Sequence, residues 1–259
     1  MTDFVAEWLA AARPAPERAG VFVDFDGTLA PIVDDPAAAR PHDQAVRVLG
    51  RLSERWGVVA VVSGRPAGFL AEHLAGTGHT RFLGLYGLER ASGDSPSVVT
   101  HPDAAGWRDA VAAAATEAAS SVPPAVAVEG KGLTVTLHYR AAPERAAEVD
   151  RLAGELSRRH GLQAHAGKMS VELRPPVEVD KGTVLSELST GLAAVAFAGD
   201  DIGDLPAFAA LRAMRSAGTV TLSVASGGSE TPAEVVDAAD LAVDGPDGIL
   251  AVLHRLAEG

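Results

Sequence analysis

Cysteine is absent from the 259 residues, and so is any long apolar run. Without cysteine, disulfides, thiolate catalysis and cysteine-ligated metals are excluded, whereas the redox compartment stays open. No apolar stretch approaches the roughly 18 residues of a membrane span, and the first four residues lack the basic start of a signal peptide. We therefore expect a soluble, cytoplasmic protein without a membrane partner.

Basic residues are scarce relative to acidic ones. The 22 Lys and Arg against 34 Asp and Glu give a net charge of −12. This charge argues against a nucleic-acid partner, because phosphate backbones are bound by basic patches. An anionic small molecule would need a local positive site. With 47% apolar residues the chain can bury a core, in one large domain or two moderate ones.

Short apolar runs alternate with helical patterns in two parts of the chain. Strands are predicted at 21–25, 58–62 and 82–85, with a helix at 44–55, and the pattern returns in strands at 193–198 and 220–224 and a closing helix at 248–256. Such alternation is typical of a parallel sheet built from strand-helix-strand units. We expect an α/β core with a Rossmann-like parallel sheet.

The middle of the chain has a different pattern. Helices are predicted at 107–120 and 143–160, and each is followed by two strands, at 125–129 and 133–139 and then at 162–165 and 170–174. Two such αββ units predict an inserted α+β cap domain at 105–177, between core segments 1–104 and 178–259. Extension of the main sheet is the alternative, although the tight Gly-Lys-Gly turn at 130–132 favours an antiparallel hairpin.

Two carboxylates, Asp24 and Asp26, end the first predicted strand, followed by Gly27 and Thr28. Their spacing puts both side chains on one face of an extended backbone. Because paired buried carboxylates need a cation, a metal or a basic side chain is expected beside them. We interpret them as an aspartate nucleophile and an aspartate acid/base; a polar turn after a strand is the alternative.

Polar residues also follow the second strand and open a later helix. Ser63 and Arg65 come after the strand at 58–62, at the sheet edge where ligands of open parallel sheets bind. Alternatively, Ser63 caps a helix that begins near Pro66. Lys181 opens a helix just after the inserted segment, where it supplies either a fixed cation for phosphate or a solvated surface charge.

A third strand end carries the acids Asp200, Asp201 and Asp204. Carboxylates gathered from several strand ends suit Mg²⁺, which prefers hard oxygen ligands. A capped turn could explain one such cluster, but three strand ends with Asp-x-Asp, Ser and Gly-Asp-Asp favour a functional site.

The ordered motifs resemble those of the haloacid dehalogenase superfamily of aspartate-dependent phosphatases. More narrowly, the chain after about residue 20 resembles trehalose-6-phosphate phosphatases in the following segments: 24–33, 63–65, Glu129-Gly130-Lys131, His138-Tyr139-Arg140, Val171-Glu172-Leu173-Arg174-Pro175 and Asp180-Lys181-Gly182. The resemblance implies a Rossmann-like core with an αββ-αββ cap, acting on a small-molecule sugar phosphate.

The resemblance also implies roles for individual residues. Asp24 would be the nucleophile and Asp26 the acid/base, and Mg²⁺ would be bound by Asp24, the backbone carbonyl of Asp26, and Asp200. The remaining implied roles are phosphoryl binding by Ser63 and Lys181, further substrate binding by Arg65, support by Thr28, Asp201 and Asp204, and sugar binding by Glu129, Lys131 and Glu172. We expect a monomer.

Two loops depart from the family pattern. Tyr86 stands where the family commonly has His. After the Gly-Asp-Asp motif, Gly203 replaces the common Thr, and Leu205 and Pro206 replace acidic residues. The sugar specificity therefore stays open between trehalose 6-phosphate and another phosphorylated sugar or pseudodisaccharide, such as a glucosylglycerate or validoxylamine phosphate. A catalytically silent sugar-phosphate-binding module is a third hypothesis, but such a module would ordinarily lack Asp24, Asp26 or Asp200.

Overall fold

The computed structural model describes residues 3–33, 38–228 and 231–258, without the side chain of Pro96. The chain forms two compact units, which we name the core unit (1–99 and 179–259) and the inserted unit (100–178). The domain limits of 105 and 177 stay a prediction from the sequence. Among the described helices, none is long and apolar enough to cross a membrane.

An eight-stranded sheet forms the centre of the core unit. Its strands, in spatial order, are β12 (Leu241–Asp244), β11 (Val220–Gly227), β10 (Ala194–Gly199), β1 (Ala19–Val23), β2 (Val58–Val62), β3 (Arg81–Gly84), β4 (Glu89–Ser92) and β5 (Ser95–Thr100). From β12 to β3 the strands are parallel, and β4 is antiparallel to β3. The predicted parallel α/β core is confirmed; the strands β4, β5 and β12 were not predicted.

Helices cover both faces of this sheet. They are α1 (Phe4–Ala12), α2 (Ala45–Arg55), α3 (Ala67–His73) and α9 (Gly245–Glu258) on one face, and α6 (Lys181–Leu188), α7 (Leu205–Ser216) and α8 (Ala233–Ala238) on the other. Successive side chains of β1 point to opposite faces of the sheet. Val21 and Val23 therefore pack against the first set of helices, and Phe22 packs against the second set. The amino-terminal residues form α1, which buries Trp8 against the core.

The inserted unit has its own antiparallel sheet and its own core. Its elements are α4 (Arg108–Ser121), β6 (Ala127–Gly130), β7 (Val135–His138), α5 (Ala146–His160), β8 (Gln163–Gly167) and β9 (Ser170–Arg174), with the strand order β6-β7-β9-β8. The αββ-αββ prediction is confirmed, and the alternative that these strands extend the main sheet is wrong. Val135, Leu137 and Leu173 pack with the apolar sides of α4 and α5.

Three neighbouring strand ends determine where the polar residues of the core unit lie. Val23 of β1 is level with Ala198 of β10 and Val61 of β2. β1 ends two residues earlier than predicted because Phe25 enters a turn, in which its carbonyl accepts the amide of Leu29 at 2.8 Å. The residues that follow the three ends are Asp24, Ser63 and Asp200.

Candidate active site

A buried ammonium joins two carboxylates at this edge of the sheet. Lys181 Nζ lies 2.8 Å from Asp24 Oδ1 and 2.6 Å from Asp204 Oδ1, and all three side chains are buried. The helix α6 positions Lys181 at its first residue, since Asp180 and Thr183 form a reciprocal capping box at the helix start. Lys181 is therefore a fixed buried cation, and the alternative of a solvated surface charge is wrong.

Burial and charge shift the protonation equilibria of this cluster. Burial raises the pKa of the Asp24 carboxyl well above its usual range, with Lys181 opposing the rise and Asp204 adding to it. Burial disfavours the ammonium of Lys181, but Asp204 and Asp24 outweigh it and hold the lysine pKa well above its ordinary value. Three buried carboxyl groups lie close together around one lysine, and a further cation would favour their ionised forms.

The loop after β10 is organised around Asp204. Its Oδ2 accepts the backbone amides of Asp200 at 2.8 Å and Asp201 at 3.1 Å, and its Oδ1 accepts from Lys181. The side chain of Asp201 completes a capping box with Asp204 over the following 3₁₀ turn. Asp204 therefore holds the loop and the lysine together, as a support for the residues around it.

Gly27 makes the turn after Asp26 and has a left-handed φ of +74°. A Cβ built on this residue would lie 2.2 Å from Oδ2 of Asp200, so only glycine allows the two strand ends to approach this closely. The carbonyl of Gly27 accepts a hydrogen bond of 2.6 Å from Ser226, at the end of β11. The neighbouring Thr28 is fully buried, and its Oγ1 has no partner within the described part of the chain.

The acidic cluster has the ligands that a metal needs. Asp24, Asp200 and Asp204 each offer a carboxylate oxygen within 4.8 Å of the others, and all three are buried. Hard oxygen donors suit Mg²⁺, and the close approach of the three carboxyl groups gives a reason for a divalent ion there. The cluster includes Asp204, which the sequence placed in a supporting role, and it does not include the side chain of Asp26.

Ser63 is buried, and its Oγ accepts the amide of Arg65 at 3.2 Å. The prediction of a helix near Pro66 is confirmed by α3, but Ser63 does not cap it. Buried Glu89 instead accepts the amide of Ala67 at 3.0 Å, and so satisfies the helix start from 22 residues away.

Tyr86 supports the same loop from a strained backbone. Tyr86 and the preceding Leu85 have φ of 62° and 49°, unusual for residues with side chains. The Tyr86 amide bonds the carbonyl of Ser63 at 2.9 Å, and a Cβ on Gly64 would meet the Tyr86 hydroxyl at 2.6 Å. This departure from the family pattern therefore packs directly on the segment between Ser63 and Arg65.

Asp26 pairs with Arg65 and lies outside the acidic cluster. Arg65 donates from Nε to Asp26 Oδ2 and from a terminal nitrogen to Oδ1, both at 2.7 Å. The Asp26 side chain is 39% exposed, in contrast to buried Asp24. The two aspartates of the motif thus have different surroundings: one is buried beside an ammonium, and the other is accessible beside a guanidinium.

In the inserted unit, Glu172 is buried on the sheet face opposite the apolar core. Its Oε1 accepts from Thr134 at 2.8 Å and from Thr136 at 3.3 Å, and its Oε2 accepts from Arg174 at 2.8 Å. Burial would raise the pKa of Glu172, but Lys131, Arg174 and the hydrogen bonds outweigh it and lower that pKa below its usual value.

Glu129 and Lys131 lie on the same sheet face. The register aligns Glu129 with Thr136 and Thr136 with Glu172 across β6, β7 and β9. Lys131 Nζ is 3.6 Å from Glu129 and 3.5 Å from Glu172, while His138 Nε2 is 2.9 Å from Glu129. The three predicted sugar-binding residues are therefore brought together by the fold.

Sequence reasoning missed several residues that organise these sites, and they fall into two groups. Thr134 and Thr136 alternate with the apolar residues of β7, and Arg174 lies two residues after Glu172 in β9. Period-2 alternation could therefore have indicated all three. No local pattern indicates the long-range partners Glu89 and Ser226.

Comparison with known proteins adds independent evidence. The trehalose-phosphatase family model matches residues 22–240. The chain is 37% identical over 217 residues to the trehalose-phosphate phosphatase of Mycobacterium avium, covering 80% of this chain and 54% of the relative. For that of Mycobacterium tuberculosis the identity is 36% over 222 residues, covering 79% and 53%. The chain thus spans about half the length of the curated relatives it matches.

Solved structures show the same fold. A trehalose-6-phosphate phosphatase related protein matches with a TM-score of 0.75 at 22% identity, covering 92% of this chain and 97% of that one. The C-terminal domain of the Candida albicans trehalose-6-phosphate phosphatase matches with a TM-score of 0.77 at 24% identity, covering 98% and 97%. A haloacid dehalogenase-like hydrolase from Bacteroides thetaiotaomicron is also similar, with a TM-score of 0.61 at 17% identity and coverage of 92% and 99%. The family model matches most of the chain, and the mycobacterial relatives are 37% and 36% identical to it. The chain therefore belongs to the trehalose-phosphatase family.

Proposed function

We propose that the protein hydrolyses trehalose 6-phosphate to trehalose and phosphate through an aspartyl-phosphate intermediate. The observation that carries this proposal is the buried contact of Lys181 with Asp24 inside an acidic cluster. A fixed cation beside the attacking carboxylate screens the repulsion of an incoming phosphate dianion, which that carboxylate could not otherwise approach. The substrate class follows from family membership, and the names of the curated relatives support trehalose phosphate.

Mg²⁺ is the proposed cofactor. The resemblance to the family implies Asp24, Asp200 and the backbone carbonyl of Asp26 as its ligands. Asp204, both of whose oxygens accept hydrogen bonds, would support them. When bound, the ion supplies positive charge that neutralises the phosphoryl oxygens. Asp204 and Asp201 keep the Asp200 loop in place, and Thr28 supports the turn.

In the first step, an oxygen of Asp24 attacks phosphorus and a new phosphorus–oxygen bond forms. The bond between phosphorus and the sugar oxygen breaks, and its electron pair stays on that oxygen. Asp26 donates its proton to the same oxygen, so that trehalose leaves as a neutral alcohol. Ser63 donates a hydrogen bond to the phosphoryl group and Lys181 supplies charge to it.

In the second step, water attacks the aspartyl-phosphate. Asp26, now unprotonated, accepts a proton from this water, the bond between phosphorus and Asp24 breaks, and inorganic phosphate is released. Asp26 thus returns to its protonated form, and Asp24 returns to a carboxylate. The partial exposure of Asp26 supports this role, because the residue must reach both the sugar oxygen and water.

Recognition of the sugar is assigned to Glu129, Lys131 and Glu172 of the inserted unit. Their clustering on one polar sheet face supports this assignment. We expect a cytoplasmic monomer that acts on a small molecule, without a nucleic-acid or membrane partner.

Phosphate release from a substrate panel with Mg²⁺ tests the function. The panel holds trehalose 6-phosphate, glucose 6-phosphate and other disaccharide and pseudodisaccharide phosphates. A strong preference for trehalose 6-phosphate is expected. Preference for another member would support the second candidate, a phosphatase for another phosphorylated sugar or pseudodisaccharide. The unusual Tyr86, which packs on the Ser63–Arg65 segment, favours this candidate. Binding without turnover would support a catalytically silent module.

A further inference from the structure

Arg65 fixes the plane of the Asp26 carboxylate. Its two donors are each 2.7 Å from a different oxygen of Asp26, which is the bidentate geometry of a guanidinium with a carboxylate. Asp26 needs such a partner more than Asp24 does, because its side chain is 39% exposed whereas that of Asp24 is buried. Arg65 itself is only 11% exposed.

An aromatic support holds Arg65 in turn. Its guanidinium carbon lies 4.9 Å from the ring centre of Phe69, on the first turn of α3. The Phe69 ring meets Phe25 edge-on at 5.5 Å and stacks on His73 at 4.0 Å. Phe25 directly precedes Asp26 in the chain, so the packed rings connect the segments that carry Arg65 and Asp26.

From this arrangement we infer that Arg65 is a positioning residue for proton transfer by Asp26. The inference rests on the proposed function, and it replaces the expectation that Arg65 binds substrate. The guanidinium takes one lone-pair direction of each Asp26 oxygen and fixes where the remaining directions point. Those remaining directions carry the proton that goes to the leaving oxygen and, in the second step, accept the proton of water.

A positioning role and a phosphate-binding role of Arg65 predict different kinetics for substrates with poor and good leaving groups. A poor leaving group needs its oxygen protonated as the bond to phosphorus breaks, whereas a good one leaves as an anion. Misplacing Asp26 should therefore slow the first kind of substrate far more than the second. Loss of a phosphate contact would slow both kinds equally, because the phosphoryl group is the same.

The test compares two aryl phosphates with different leaving groups, phenyl phosphate (poor) and 2,4-dinitrophenyl phosphate (good), together with trehalose 6-phosphate. It uses kcat/KM with Mg²⁺, which covers the steps up to the first phosphoryl transfer and excludes hydrolysis of the intermediate. For Arg65→Met we expect a loss of about 10- to 100-fold with phenyl phosphate and trehalose 6-phosphate, and of less than about 3-fold with the dinitrophenyl ester.

Further variants separate positioning from charge alone. Arg65→Lys should not rescue the loss, because an ammonium cannot form the two-pronged contact. Phe69→Leu keeps the guanidinium but removes its support, and should show the same selective loss to a smaller degree. If Arg65→Met does not fold, this variant decides the outcome. In an Asp26→Asn background, Arg65→Met should add little further loss.

Inhibition by inorganic phosphate gives the second readout. Its inhibition constant should change by less than about 3-fold in Arg65→Met if the guanidinium does not contact the phosphoryl group. The control is Arg215→Met, which removes a similar pair with Asp240, the residue directly before β12, and should keep wild-type kinetics.

Several results would overturn the inference: equal loss on both aryl phosphates, rescue by lysine, or a large rise in the phosphate inhibition constant. Unchanged kinetics in both Arg65→Met and Phe69→Leu would overturn it as well. Failure of the proposed function is separate, since it would appear as absent turnover of trehalose 6-phosphate by the wild-type protein.

Discussion

Nζ of Lys181 lies 2.8 Å from Oδ1 of Asp24, and both side chains are shielded from solvent. An ion pair of this kind contributes little net stability by itself, yet removal of one partner leaves an uncompensated buried charge. The pair is therefore better explained by chemistry than by folding. It keeps a cation beside the carboxylate that we assign as nucleophile.

Replacement of this lysine is the first prediction. Lys181→Met should reduce turnover of trehalose 6-phosphate by at least about 100-fold, because the phosphoryl group loses a fixed charge. It should also lower the free energy of unfolding by about 3–5 kcal/mol, as expected for a broken buried pair. Denaturant unfolding and phosphate release measure the two effects. Turnover at the wild-type rate would remove Lys181 from the mechanism.

The turn at Gly27 gives a second prediction with a matched control. Gly27→Ala should abolish turnover and destabilise the protein, because its Cβ would overlap the Asp200 carboxylate. Gly191 has a similar φ of +81° and no atom within 4 Å of a built Cβ. Gly191→Ala should therefore show only the backbone strain, about 1–2 kcal/mol, with normal kinetics. Equal effects of the two substitutions would show that the approach of Asp200 is unimportant.

Metal binding should be visible without any activity measurement. Addition of Mg²⁺ should raise the melting temperature of the wild-type protein, and EDTA should reverse the rise, because a ligand of the folded state stabilises it. Asp200→Asn should lose this response, since a proposed ligand loses its charge. Asp103→Asn, in the inserted unit, is a control that should keep it. A full Mg²⁺ response in Asp200→Asn would assign the ion to other residues.

The inserted unit should determine sugar selectivity. Lys131→Met should lower kcat/KM for trehalose 6-phosphate by roughly 5- to 150-fold, the loss of a buried hydrogen bond to a hydroxyl, and leave an aryl phosphate unchanged. Lys131 is a better probe than Glu172, whose removal would strand several donors of the unit itself. An equal loss on both substrates would indicate damage to folding, and no loss would exclude Lys131 from sugar binding.

Glu172 gives a prediction about pH. Its pKa is lowered in the folded protein, so the ionised form stabilises the fold. This contribution is fully present above the unfolded value of 4.5 and is lost as the pH falls through the folded pKa. Glu172→Gln should therefore be less stable than wild type at pH 7, and the difference should shrink under acid. A difference that is constant with pH would contradict the assigned ionisation.

The sequence predicts the elements whose pattern is local. The apolar runs of β1, β2 and β10 end at polar residues, and the rule that parallel strands share one carboxyl edge brings Asp24, Ser63 and Asp200 together. The αββ repeat of the inserted unit follows from periodicity in the same way. The ends of the strands are predicted less accurately. The turn around Gly27 ends β1 at Val23, two residues before the predicted end.

The remaining features depend on contacts between distant residues. Strands β4 and β5 lie at the sheet edge and contain few buried apolar residues, so no hydrophobic pattern indicates them. Glu89 caps α3 across 22 residues, and Ser226 reaches Gly27 across 199. The pairing of Arg65 with Asp26 likewise requires the folded geometry. In the sequence alone, an arginine after a strand end fits direct binding of phosphate equally well.

The assignment of Asp24 as the nucleophile is tested by comparing the wild-type protein with a variant that lacks this carboxylate. Phosphate release from trehalose 6-phosphate with Mg²⁺ is followed side by side for the wild-type protein and Asp24→Asn, with folding of both checked by circular dichroism. We expect many turnovers by the wild type and none by the variant, because the amide keeps the volume but cannot form the acyl phosphate. Appreciable turnover by purified Asp24→Asn, or none by the wild type, would contradict this assignment.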